Sequence, residues 1–106
     1  MTNRKINKAI AEYLGWKELS FVLDCKHIIG DRPSFHNGKI VSYTVDQYVP
    51  NYCRDLNAMH EAENSLTTSQ MTTMSQYLYR RLGMLWGFAT ASQRAEAFVR
   101  TIGKWD

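Results

Sequence analysis

"FHNGKIVSYTVD", residues 35–46, decides the fold class. From Ile40 onward Val41, Tyr43 and Val45 alternate with Ser42, Thr44 and Asp46, the period of two that marks a half-buried strand. A helix would return its apolar residues every three or four positions, and this stretch does not. Just ahead stands Asn37-Gly38, the dipeptide whose tolerance of positive φ favours a two-residue hairpin turn. Antiparallel strands are therefore expected here, with residues 40 to 45 in the sheet and Val41, Tyr43 and Val45 turned toward its inner face. "LSFVLD" at 19–24 reads as a further short strand.

The flanking segments change period. "NRKINKAIAEYLGWK" at 3–17 sets Ile6, Ala9, Ile10, Tyr13 and Leu14 at helical spacing, with Gly15 where a helix would stop. After the proline break in "VPNYCRD", Asp55 is placed to cap a helix beginning at Leu56, on which Leu56, Met59 and Leu66 can share an inward face. Thr67 and Gln70 have capping-box spacing and open a helix carrying Met71, Met74, Leu78 and Leu82, ended by Gly83. "MLWGFA" at 84–89 is a short apolar run that reads as a buried strand. A second capping box, Thr90 to Gln93, opens a last helix with Ala91, Ala95, Phe98, Val99 and Ile102 inward. The sum is an α+β domain over residues 1–106: four helices, beginning near residues 3, 56, 68 and 91, packed on a short, mainly antiparallel sheet.

A chain of 106 residues that is 44% hydrophobic can close one modest core and no more. Thirteen Lys and Arg against 10 Asp and Glu leave a net charge of +3, mixed along the chain, which is a weak footprint for DNA binding. The densest basic cluster, Arg4, Lys5 and Lys8, fits a solvated helix face. Cys25 and Cys53 form no CxxC and are expected as reduced thiols. No apolar stretch approaches the roughly 20 residues of a membrane helix, and no early segment reads as a leader, so no membrane partner and a cytosolic location are expected.

Residues 60–64, His60-Glu61-Ala62-Glu63-Asn64, come within one residue of the zinc-protease pattern HExxH. That chemistry needs two imidazoles one helical turn apart, and Asn64 stands where the second would be. No metal or other cofactor is therefore expected. On a helix Asn57, His60, Glu61 and Asn64 form one polar stripe opposite Leu56, Met59 and Leu66, which can serve as a site or simply face water. No GxSxG, GxGxxG or P-loop pattern occurs, so catalysis has no motif behind it. Phe, Trp and Tyr make up 12% of the chain, and several adjoin cations: Trp16-Lys17, Tyr52 near Arg54, Tyr79-Arg80-Arg81 and Lys104-Trp105. Rings offer stacking faces and cations offer phosphate contacts, the two materials a nucleotide-like ligand requires.

"LGW" at 14–16, "VPNYCRDLNAMHEAE" at 49–63 and "TASQRAEAFVRTIGKW" at 90–105 resemble, in order and spacing, the signatures of the phage ABA sandwich domain, a family of small bacteriophage accessory proteins. The resemblance covers nearly the whole chain and is least distinctive over 17–48. It implies an α+β protein acting in the host bacterial cytoplasm and carries over no catalytic residues. The Thr/Ser/Met-rich helix at 67–78 departs from the typical member, so no partner shared through that surface is implied.

Three functions compete. One is a non-enzymatic protein that binds and sequesters a small anionic, nucleotide-derived host immune signal. The alternative is an interaction module that inhibits or redirects a host protein through an exposed apolar face. The third is a hydrolase using His60 and Glu61 as acid and base. The expected ligand-binding residues are Arg54, Asn57, His60, Glu61 and Arg94, with Tyr52 and Trp86. Arg54 and Arg94 would converge if the ends of their helices are neighbours. A homo-oligomer with Trp105 at a two-fold interface is compatible with sequestration.

Overall fold

The computed structural model describes residues 1–22 and 27–105. Its element order is α1 (Asn3–Tyr13), β1 (Lys17–Phe21), β2 (Ile28–His36), β3 (Lys39–Tyr48), α2 (Leu56–Glu63), α3 (Thr68–Leu82), a 3-10 turn (Trp86–Phe88) and α4 (Ala91–Thr101). Four helices pack with one three-stranded antiparallel sheet of order β1-β2-β3, an α+β fold.

The local punctuation forms as the sequence predicts. The Asp55 carboxylate accepts from the Ala58 N–H at 3.1 Å. In both capping boxes the Thr hydroxyl accepts from the backbone N–H of the Gln, and that Gln's amide oxygen accepts from the backbone N–H of the Thr. The β2–β3 turn holds Asn37 at φ 52° and Gly38 at φ 76°, with His36 paired to Lys39. Gly83 ends α3 in the left-handed region.

α4 is the central helix and packs against α1, α2 and α3. Phe98, Val99, Ile10, Met59, Met74 and Leu78 are fully buried around it. The small residues Ala91, Ala95 and Ala97 on α4, with Ala58 and Ala62 on α2, are buried too. Apolar burial on this scale, about 25 cal/mol per Å², is the main source of the body's stability.

Three burial expectations need correction. Leu56 is 43% exposed, because α2 turns Ala58, Met59, Ala62 and Glu63 inward instead. Alanines let the helix approach its neighbour closely, and the inward stripe therefore passes through a carboxylate. Val41 and Val45 are each 62% exposed. β3 is an edge strand, and the alternation that makes it a strand does not bring a layer to cover that face. Third, residues 84–89 form no strand. The run makes a 3-10 turn, with Leu85 and Phe88 exposed, Trp86 and Met84 half-buried against the core and Ala89 buried. Gly83 and Gly87 break the extended run, and Trp86 is held by its carbonyl rather than by a ladder.

β3 carries two register shifts against β2, one between Gly30 and Arg32 and one between Ser34 and Phe35, with Asp46 at φ 52° in the first. Such bulges bend and twist a strand and make its free edge a poor template for pairing. The hairpin leans on the end of α1. Gly15 sits at φ 98°, and a Cβ there would lie 2.9 Å from Ile40 Cδ1, with Pro33 and Phe35 next nearest. The second residue past the first helix is thus a glycine for two reasons: its backbone conformation, and the hairpin resting on it.

Candidate functional site

Where the hairpin leans over, it leaves an open groove of about 670 Å³, within the range of small-ligand sites. Three walls enclose it. The end of α1 supplies Tyr13, Leu14, Gly15 and Trp16; the hairpin supplies Arg32, Pro33, Phe35 and Ile40; α2 and the residues after it supply Ala58, Glu61, Ala62, Asn64 and Ser65. Pro50 and Tyr52 complete the lining.

The segment holding Tyr52 is pinned to α1 chiefly through Asn7, with the Cys53 thiol also donating to the Asn3 carbonyl at 3.9 Å. Asn7 Oδ1 accepts from the Cys53 N–H at 3.2 Å, and Asn7 Nδ2 donates to Asn51 Oδ1 at 3.1 Å. The Asn51 carbonyl then accepts from the Arg54 and Asp55 N–H groups and turns the chain into α2. Tyr52 is only 3% exposed. Its hydroxyl hydrogen-bonds to no other described residue and is not among the fully enclosed orphan atoms, so it opens on the groove. Burial pushes its pKa up to about 12, with the Arg32 guanidinium pulling it down and the Glu61 carboxylate adding to the rise. The phenol therefore stays a hydrogen-bond donor, and it lies within electrostatic reach of a cation on one wall and an anion on another.

Neither charge is neutralised locally. Among the described residues Arg32 and Glu61 enter no salt bridge. Arg32 stands over the Trp16 ring, its guanidinium carbon 6.0 Å from the centroid. Ser65 is committed differently: its hydroxyl donates to the Ala62 carbonyl at 2.7 Å, which leaves only lone pairs to offer a ligand. Next to Tyr52, burial pushes the Cys53 thiol up to about 11. A thiol so shifted holds almost no thiolate at neutral pH and is a poor nucleophile.

Of the residues expected from the sequence, Tyr52 and Glu61 line the groove. Arg54, Asn57 and His60 are exposed and lie outside its lining. Arg94 is not at the surface as expected. It is 4% exposed, and its Nη1 donates to Glu63 Oε1 at 3.1 Å while its Nη2 donates to the Trp86 carbonyl at 2.7 Å. The Trp86 ring stacks beneath, 5.2 Å from centroid to guanidinium carbon. Arg94 and Trp86 thus form one structural unit with Glu63, and the expected convergence of Arg54 and Arg94 on a ligand is replaced by this pair. Desolvation raises the pKa of Glu63, with Arg94 and then His60 opposing the rise.

No sequence pattern marks Arg32, Trp16, Phe35 or Ser65 as a site residue. Trp16 stood out only as a ring beside a cation, and Arg32 and Phe35 reach the groove only through the hairpin register, which no short motif encodes. The neighbouring pairs Tyr79-Arg80 and Lys104-Trp105 are not the stacked ones: Arg100 lies over both Tyr77, at 5.2 Å, and Trp105, at 4.2 Å. Among the described residues no three His, Cys, Asp or Glu side chains are grouped to hold a metal ion, and no helix is long and apolar enough to cross a membrane. Cys25 and residues 23–24 of the expected "LSFVLD" strand lie outside the described residues. No family model, no curated protein and no solved structure matches the chain.

Proposed function

We propose that this protein is a non-enzymatic binding protein that holds one small, anionic, nucleotide-derived ligand in the groove between the hairpin, α1 and α2. Under the phage ABA sandwich resemblance it is a bacteriophage accessory protein that sequesters a host immune signal in the host cytoplasm. One observation carries the reading: a buried tyrosine lines the groove, and among the described residues its hydroxyl has no hydrogen-bond partner and the Arg32 and Glu61 side chains on either wall have no ionic one. That hydroxyl is not fully enclosed, and at the wall of the groove it offers its hydrogen bond to a ligand or a water. Trp16 and Phe35 add ring faces for a flat ligand, and Arg32 adds a cation for its phosphate.

Native mass spectrometry of the protein purified from infected cells tests this directly, with a retained small mass as the expected result. Arg32→Ala should weaken binding of that ligand by about 1.5–3 kcal/mol, the scale of a hydrogen bond to a charged group, and leave the melting temperature unchanged. A ligand-free parent, from infected cells and after incubation with host extract, would sink the reading. The exposed Leu85 and Phe88 favour a second reading, docking on a host protein. A co-purifying host protein lost on Phe88→Ser, with no small mass retained, would establish that one instead.

A further inference from the structure

Resting on the reading of the groove as a nucleotide site, we infer that it selects a guanine-type base, read by Glu61 and Tyr52, with the phosphate directed to Arg32. Three polar side chains of the α2 wall meet the groove: Glu61 presents a carboxylate that only accepts, the Ser65 hydroxyl has spent its proton on the Ala62 carbonyl, and the Asn64 amide can both donate and accept. A phosphate would be repelled there, and the cation that would attract it stands on the hairpin wall at Arg32. The ligand's ring edge therefore faces α2, and where that edge meets Glu61 it has to donate.

The common bases differ in what they offer such a wall. Guanine presents two adjacent donors, its N1–H and its amino group, which match the two oxygens of one carboxylate, and beside them the O6 acceptor. Adenine and cytosine place an acceptor ring nitrogen next to their amino group, and uracil flanks its one N–H with two carbonyls, so each sets a lone pair against the carboxylate. Tyr52 completes the match. Its hydroxyl has no partner among the described residues and keeps its proton, so it can donate to O6 while Glu61 accepts from the neighbouring N–H groups. Trp16 and Phe35 line the same groove and offer flat faces that hold any base equally, so selectivity falls to the polar edge.

Isothermal titration of the purified protein with GMP, AMP, CMP and UMP, in one buffer at one salt concentration, tests the assignment. GMP is expected to bind at least about tenfold more tightly than the other three, and IMP, which lacks the amino group, to fall between, since a site built for a hydrogen bond rejects the analogue that cannot make it. Glu61→Gln should remove the preference, because its amide offers one donor and one acceptor, while the thermal melt stays at the parent value. Arg32→Ala should weaken all four nucleotides by a similar factor. Equal binding of the four, or a guanine preference that survives Glu61→Gln, overturns the role of Glu61 and leaves the groove a nucleotide site. Binding of none of them overturns the nucleotide reading and this inference together.

Discussion

Two pairs of opposite charges lie on the two sides of α2, and they have opposite fates. On the inner side Glu63 meets Arg94 at 3.1 Å, both about 5% exposed, and Nη2 of the same guanidinium donates to the Trp86 carbonyl above the Trp86 ring, while its buried Nε has no hydrogen-bond partner among the described residues. On the outer side Glu61 faces a groove across which Arg32 stands, and among the described residues neither has an ionic partner. The difference is one of desolvation. A charge taken fully out of water costs several kcal/mol unless a partner compensates it, so the inner pair must close on itself. At the groove water still solvates the charges, so they can remain open until a ligand arrives. Neighbouring carboxylates in the same short helix are thereby assigned different work by the direction they point.

The largest expected effect comes from breaking the inner pair. Arg94→Ala would leave the Glu63 carboxylate buried without its cation, a change that costs about 3–5 kcal/mol in comparable sites, a large share of the 5–15 kcal/mol that holds a typical domain folded. Urea unfolding would read the loss as a lower midpoint. A loss below about 1 kcal/mol would mean that water reaches Glu63 and that the two sides of α2 do not differ as described.

The pair also shows what could be read in advance. Caps and the hairpin turn were legible because each is decided within about four residues: Asp55 with Ala58, Thr67 with Gln70, Thr90 with Gln93, Asn37 with Gly38. Arg94 and Glu63 are 31 positions apart, and no local pattern links them. Burial was legible where apolar residues recur on a long helix, as at Met74 and Leu78 or Phe98 and Val99. It failed at Leu56, on a helix of 8 residues, and at Val41 and Val45, whose alternation shows a strand without showing what covers it. The groove was half legible: Tyr52 and Glu61 came from residue types on a helix and its approach, while Arg32 required the strand register.

Alkaline pH sharpens the comparison at the groove floor. Tyr52 and Cys53 are raised from ordinary values of 10.0 and 9.0 to about 12 and about 11. Below about pH 8 both are almost wholly neutral in the folded and the unfolded chain and stability hardly depends on them. As pH rises further, the unfolded chain ionises first and holds fewer protons than the folded one, so stability falls and the contribution is lost through about 11 for Cys53 and about 12 for Tyr52. Each group accounts for roughly 2–3 kcal/mol at most. Unfolding free energies at about pH 8 and about pH 11 should differ by roughly 2 kcal/mol or more in the parent, and Cys53→Ala should delay the onset of the fall. A flat profile would place both groups in water and remove the buried floor from under the groove.

The smallest effect is expected on the outer face of the hairpin. Val45→Thr keeps the β-branched shape that a strand favours and changes one methyl for a hydroxyl at a residue 62% exposed. If that face meets water, the stability should stay within about 0.5 kcal/mol of the parent, the usual range for surface substitutions. Ligand binding should not change either, since Val45 is outside the groove lining. The alternation of residues 40–45 would, by contrast, set the valine inward, where a buried hydroxyl without a partner costs about 1–3 kcal/mol. A loss of that size, growing as the protein is concentrated, would show that a second copy covers β3 in solution. A loss of that size at every concentration would place a layer of this chain over β3 and overturn the exposure of that hairpin face.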